Sequence, residues 1–323
     1  MNPFAHLHPH RVIALVEEVL DVRAESICRP LTSYINRVFE VQLENGEAVV
    51  VKFHRPGRWT VDALSEEHDF VLDLAAADIP VVAPMEDEDG NTLFEDEGIW
   101  FAITPRKRGR PFEDPTPATW QDLGRTLARV HVVGDEAECQ HRLHWHPEEA
   151  TLRHLDYILE HAKGGEEFLD RYADLVEEMV EAISPLFDEA DFTRLHGDMH
   201  VANLFKRPDE SGIYLIDFDD MCFGPPVQDI WMLLPGTVAD SGPELEHLLY
   251  GYRQIREFSP RELDLVEPLR AMRFVHFTAW CALQQEDGGT NRLAENFDAP
   301  AWWRNEFSSL QDQRERIREI NRV

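Results

Sequence analysis

Apolar residues recur at helical spacing over residues 9–20, which predicts an N-terminal amphipathic helix. Two β-rich runs follow, FEVQL and AVVVKF, on either side of Asn45-Gly46, a strong hairpin signal. Residues 62–77 (DALSEEHDFVLDLAAA) read as a second helix, ended by Ile79-Pro80. IWFAIT at 99–104 reads as a strand. At Pro105 a basic link with Gly and Pro begins, PRKRGRPFEDPTP, and a lobe boundary is expected there. The division is then a β-rich lobe over 1–104 and a larger, mostly helical lobe over 105–323. Helices are expected near 118–132, 151–162, 166–187, 226–234, 243–257, 260–285 and 301–320. A short irregular region at 194–225 interrupts them. There is no internal repeat and no low-complexity tract. A small β-rich lobe before a larger helical one is an α+β arrangement.

Composition narrows the class. Hydrophobic content of 43% and charged content of 29% are those of a soluble globular chain. No apolar run approaches the roughly 18 residues that span a bilayer. The start carries two glutamates and no basic region before its apolar residues, unlike a signal peptide. Cysteines at 28, 139, 222 and 281 show no CxxC pairing, which fits reduced thiols in a cytoplasm. The 62 acidic residues outnumber the 31 basic ones, and a net charge of −31 argues against nucleic acid and anionic membranes as partners. Only four lysines occur, at 52, 107, 163 and 206, against 27 arginines.

The candidate chemistry lies inside the irregular region, in RLHGDMHVANLFKRPDESGIYLIDFDD. His196-Gly197-Asp198 is followed by Asn203 five residues after Asp198, then by a hairpin pattern (NLFK, turn PDESG, IYLID) ending in Asp217. Phosphoryl transfer needs a carboxylate that orients the attacking hydroxyl and accepts its proton. It also needs oxygen ligands that hold Mg²⁺ against the phosphates. Asp198 suits the first task, and Asn203 and Asp217 suit the second. Lys52 stands in AVVVKF, a strand too apolar to hold an ammonium without an anionic partner.

The segment resembles the catalytic and metal-binding loops of the protein-kinase-like superfamily, and within it the aminoglycoside phosphotransferase and choline kinase group. HGDxxxxN replaces HRDxxxxN, and Asp219 stands where DFG has its Gly. The resemblance implies a bilobal kinase-like fold, ATP and Mg²⁺ as cofactors, and Asp198 and Asp217 as catalytic residues. It implies that Lys52 grips the nucleotide phosphates and pairs with a Glu of the next helix. Glu66 and Glu67 are the candidates, and Glu67 is preferred because it shares a helix face with Val71 and Leu74. Ser33, in SYINRV, lies where a kinase has its Gly-rich phosphate loop. Asp229-Ile230-Trp231 resembles the kinase DxW, so Asp229 is expected to accept from backbone N–H groups near His196. Longer stretches over roughly 27–235 resemble the bacterial stress response kinase branch, which implies phosphorylation of Ser/Thr in proteins; separately, a monomer is expected. Asp217 and Asp229 are only 12 residues apart, a short segment that keeps a small-molecule alcohol open as the acceptor. Gly197 leaves no Arg beside Asp198 to read a loop phosphate. Arg55, Arg58 and Trp59 are candidates for phosphate or substrate contact, and Asp219 and Asp220 for the metal site, for a cationic substrate group or for backbone bonding. The histidines at 6, 8 and 10 and at 141, 144 and 146 are read as surface residues or as metal ligands.

Overall fold

The β2–β3 hairpin, Arg37–Leu43 and Ala48–Phe53, forms where Asn45-Gly46 predicts it. In the computed structural model, which describes residues 3–207, 212–286, 294 and 296–320, the chain divides into two compact units. The first comprises Met1–Asp114, Gln140–Arg142 and Val201–Asp219; the second comprises Pro115–Cys139, Leu143–His200 and Asp220–Val323. The expected cut at 104/105 therefore differs from the packing, which continues the first unit to Asp114 and returns two later segments to it. The reason is hydrogen bonding. Strand β6 (Arg110–Pro111) pairs with β8 (Leu204–Lys206), which pairs with β9 (Ile213–Leu215), and the Leu215 N–H donates to Pro80 O at 2.9 Å.

The first unit opens with helix α1 (Pro9–Leu20), whose Val12, Leu15 and Val16 are buried. A five-stranded antiparallel sheet follows in the order β1 (Ala24–Leu31), β2 (Arg37–Leu43), β3 (Ala48–Phe53), β5 (Ile99–Pro105) and β4 (Phe94–Asp96). Gly46, at φ 85°, makes the tight turn between β2 and β3. Side chains alternate with period two along a strand. Phe39, Val41 and Leu43 of β2 and Val49, Val51 and Phe53 of β3 thus join the core with α1. Lys52, between Val51 and Phe53, belongs to the opposite face. Helix α2 (Val61–Ala76) starts on the Thr60 side chain, which accepts from the Ala63 N–H.

The second unit contains α3 (Pro117–Gly134), α4 (Leu152–His161), α5 (Leu169–Asp188), α6 (Val227–Trp231), α7 (Gly242–Tyr252), α8 (Val266–Glu286) and α9 (Pro300–Ile320). A two-stranded ladder joins β7 (Thr193–Leu195) to β10 (Cys222–Gly224) and frames the irregular region. Helices α3 and α7 approach closely at glycines: a Cβ on Gly124 would sit 2.0 Å from Leu248 O, and one on Gly251 would sit 1.9 Å from Gln121 O. Helix α7 ends at Tyr252 rather than near 257. The next helical stretch starts independently, on a capping box in which the Ser259 N–H donates to Glu262 Oε1. The turn expected at 208–212 lies, apart from Gly212, outside the described residues. Among the described residues, no helix is long and apolar enough to cross a membrane.

Candidate active site

Strand β3 is flanked on both sides, by β2 and β5, and its Lys52 lies opposite Val38 and Ala102. This is a central strand, so the lysine does not serve to protect a sheet edge. The Lys52 Nζ donates to Asp219 Oδ1 at 3.1 Å and lies 3.6 Å from Glu67 Oε1 and 3.7 Å from Asp217 Oδ1. Burial works against its charge, but Asp219, Glu67 and Asp217 outweigh that and raise its pKa. Of the two glutamates on α2, Glu67 faces Lys52. Glu66 instead accepts from the backbone N–H groups of Gln140, His141 and Arg142, at 2.5, 3.0 and 2.7 Å. That clasp anchors Arg142, whose guanidinium pairs with Glu67, donates to Ala63 O at 2.7 Å and to Asp219 O at 2.8 Å, and stacks over the Trp59 ring. Burial raises the Glu67 pKa, yet Lys52 and Arg142 more than offset it and hold the carboxyl below its ordinary range.

Asp219 is almost fully enclosed and heavily bonded. It accepts from Asn36 Nδ2 at 2.9 Å, from Lys52 and from Arg58. Desolvation is outweighed by Lys52 and Arg58, which keep its pKa well below the usual carboxylate range. Asn36 also accepts the Arg55 N–H at 3.1 Å, so it ties the β1–β2 loop to both Asp219 and the segment after β3. Asp217 contrasts with its neighbour. Its side chain is 55% exposed and its backbone is left-handed, at φ 64°. A non-glycine residue held there stores strain, a feature that clusters at functional sites. The β8–β9 ladder pairs Leu204 with Leu215, and the Ile216 N–H donates to Asn203 O at 3.1 Å. Asn203 is thereby brought to the same end of the hairpin as Asp217. Phe218 packs edge-on against Phe70 of α2, with ring centres 6.0 Å apart.

In the second unit, buried Asp229 accepts from the His196 N–H and the Gly197 N–H, each at 2.9 Å, as the DxW resemblance implies. His131 Nε2 lies 3.3 Å from the same carboxylate, and its Nδ1 lies 2.8 Å from Tyr252 Oη. Gln228 Nε2 donates to Gly197 O at 3.0 Å. Gly197 is required twice over. Its φ is +82°, and an added Cβ would sit 2.0 Å from Asp220 O. Asp198 leaves this brace beside two nitrogen-bearing groups: Arg273 Nη2 of α8 at 2.7 Å and His200 Nε2 at 3.4 Å. Burial disfavours the Asp198 charge, but His200 and Arg273 prevail and lower its pKa; the same contact raises that of His200.

Lys52, Glu67, Asn203 and Asp217 thus gather in the first unit, while Asp198 lies in the second. Ser33 lies in the β1–β2 loop, half-buried. Arg142 and Arg273 carried no signal in the sequence, since nothing around RLHWH or RAMRF marks a partner far along the chain. Arg58 stood out only through HRPGRWT. His6 lies 3.4 Å from Asp96 Oδ2, and His8 caps α1. Among the described residues, no group of three or more His, Cys, Asp or Glu is placed to hold a metal. An asparagine–carboxylate pair is instead a hard oxygen set suited to Mg²⁺.

Residues 27–266 match the phosphotransferase enzyme family (APH). The chain is 38% identical to "Stress response kinase A" of Escherichia coli (strain K12) over 287 residues, 86% of this chain and 83% of that protein. It is 35% identical, with the same coverage, to "Serine/threonine protein kinase RdoA" of Salmonella typhimurium (strain LT2). Among solved structures, an amicoumacin kinase in complex with AMP-PNP, Ca²⁺ and Ami superposes with a TM-score of 0.75 at 17% identity, over 96% of this chain and 95% of that one. A choline kinase of Streptococcus pneumoniae gives 0.65 at 15% identity, over 93% and 98%. The fold is therefore the kinase-like α+β fold of these enzymes, and the chain belongs to the phosphotransferase enzyme family as a kinase-type enzyme.

Proposed function

We propose that the chain transfers the γ-phosphoryl group of Mg-ATP to the hydroxyl of a serine or threonine in a protein. The observation that carries the phosphotransfer chemistry is Lys52, on a central strand, set between Glu67, Asp219 and the exposed Asp217. In this reading the first unit is the nucleotide-binding lobe and the second carries the acceptor base. Lys52 grips the α- and β-phosphates, Glu67 keeps its ammonium in place, and Ser33 and its loop cover the phosphates. Asp217 and Asn203 would hold Mg²⁺, which when bound neutralises phosphate charge. Asp198 orients the acceptor hydroxyl and takes its proton, with its loop held by Asp229 through two backbone N–H groups.

The protein acceptor is supported by the names of relatives at 35–38% identity, which also suggest a role in a bacterial stress response. An enzyme acting on cytoplasmic proteins as a monomer fits that reading. A second reading, a small-molecule alcohol, is favoured by the 12-residue interval from Asp217 to Asp229 and by the titles of structural neighbours, which include a spectinomycin phosphotransferase and a choline kinase. Radiolabelled ATP offered with generic protein substrate, and separately with aminoglycosides, choline and homoserine, separates the two. Label on protein alone supports the first reading. Label on a small alcohol alone establishes the second, and no transfer to any acceptor overturns both.

A further inference from the structure

An arginine against a base has a cost. Pairing stabilises the carboxylate and lowers the basicity on which proton acceptance depends. The loop has a brace of its own, since Asp229 accepts from the His196 and Gly197 N–H groups. Yet Arg273 reaches from α8 to place Nη2 2.7 Å from Asp198 Oδ1, and its side chain remains 29% exposed. A guanidinium has five N–H donors in a fork that matches a carboxylate or phosphate. Arg270 precedes it by one helical turn, on the same face. Its guanidinium lies 4.9 Å from the centre of the Trp231 ring, and its Nε lies 3.5 Å from Glu267. Trp231 donates to Gln228, whose amide holds Gly197 O. Both arginines therefore adjoin the residues that shape the Asp198 loop.

We propose that Arg273, with Arg270 one turn before it, is the acceptor-recognition site, and that it takes a serine- or threonine-bearing segment with an acidic residue beside the hydroxyl. This rests on the reading of Asp198 as the acceptor base. The incoming carboxylate replaces Asp198 as the partner of Arg273, and Asp198, left with His200 at 3.4 Å, regains part of its basicity beside the hydroxyl it must deprotonate. Recognition and activation are then one event, and without an acceptor the base stays capped. The net charge of −31 gives an anion no long-range attraction to this chain. Screening over about 8 Å at physiological salt leaves the local arginine pair to decide binding once contact is made.

The test uses two labelled heptapeptides with a central serine, flanked on both sides by Glu in one and by Gln in the other. Fluorescence anisotropy measures their binding to the full chain, to Arg273→Ala and to Arg273→Lys. The expected result is about tenfold tighter binding of the Glu peptide by the unaltered chain, a factor that one charge-assisted hydrogen bond supplies. Arg273→Ala should lose the preference, and Arg273→Lys should regain part of it. ATP hydrolysis without acceptor gives a readout that a merely structural arginine would not raise: it should increase several-fold in Arg273→Ala, because water then meets an Asp198 relieved of its arginine and held by His200. Equal binding of the two peptides, a preference that survives Arg273→Ala, or hydrolysis unchanged or lowered in that variant overturns the proposal. If the unaltered chain shows no ATP turnover with any acceptor, the proposed function fails, and peptide binding alone decides the inference.

Discussion

Lys52 Nζ and Asp219 Oδ1 lie 3.1 Å apart although 167 residues separate them in the chain. The lysine that would grip phosphate is thus already balanced by carboxylates, and its removal has two consequences. Lys52→Ala should reduce phosphoryl transfer by about 10²-fold or more, since phosphate positioning supplies much of the catalysis. It should also lower Tm. Breaking a buried ion pair costs about 3–5 kcal/mol, and the lower end is expected because Arg58 and Arg142 remain. Lys52→Arg should restore Tm without restoring turnover. Thermal melts paired with an ATPase assay check both, and full activity in Lys52→Ala would remove Lys52 from the site.

Asp217→Ala should abolish ATP turnover, because the metal loses a carboxylate while the phosphates still need neutralising. Asp217→Gly should do the same while leaving Tm unchanged or raised. A left-handed backbone costs an L-residue about 1–2 kcal/mol that glycine does not incur. A stable, inactive glycine variant is the expected signature. Normal turnover at ordinary Mg²⁺ would sink the metal assignment.

Asp198→Asn should lower kcat by roughly 10²–10⁴-fold and change the affinity for an ATP analogue much less. Isothermal titration and turnover on the same preparation make the comparison. Lost nucleotide affinity with unchanged kcat would move Asp198 from catalysis to nucleotide binding.

Glu306 on α9 offers a pH test remote from these groups. Burial lifts its pKa to about 7, partly opposed by the Thr278 hydroxyl, which donates to it at 3.0 Å. Its folded pKa lies above the unfolded value, so the fold favours the protonated form. Its contribution to stability is greatest below about 4.5, falls as pH rises to about 7, and is flat above that. Glu306→Gln should therefore raise Tm at pH 8 and change it little at pH 4.5, a difference of up to about 3 kcal/mol. Equal effects at the two pH values would show that the carboxyl ionises normally.

What the sequence disclosed depended on how local each signal was. HGDMHVAN and the hairpin after it form one continuous segment, and the Lys52 strand is an apolar run beside Asn45-Gly46 with one lysine in it, so both could be read directly. Glu67 was separable from Glu66 because helix periodicity assigns faces. Arg142 and Arg273 could not be found, because their roles arise from contacts 75 residues away in the chain and leave no periodic trace. Strands β6, β7 and β10 span two or three residues each, too few to show alternation. The same shortness hid the return of residues 201–219 to the first unit, which rests on the β6–β8–β9 ladder.

That return has a consequence during synthesis. Residues up to Asp114 leave the ribosome without the segments carrying Arg142, Asn203 and Asp219. Lys52 and Glu67 are then made long before the groups that complete their charge balance. At about 5–20 residues per second, the missing hundred or so residues take roughly 5–20 s to appear. Throughout that interval β6 has no β8 to pair with, Lys52 and Glu67 lack Asp219 and Arg142 as further partners, and the nascent first unit presents unpaired strand edge to its surroundings. Chain growth therefore makes a window of vulnerability before residue 219 emerges, one that the finished fold does not reveal.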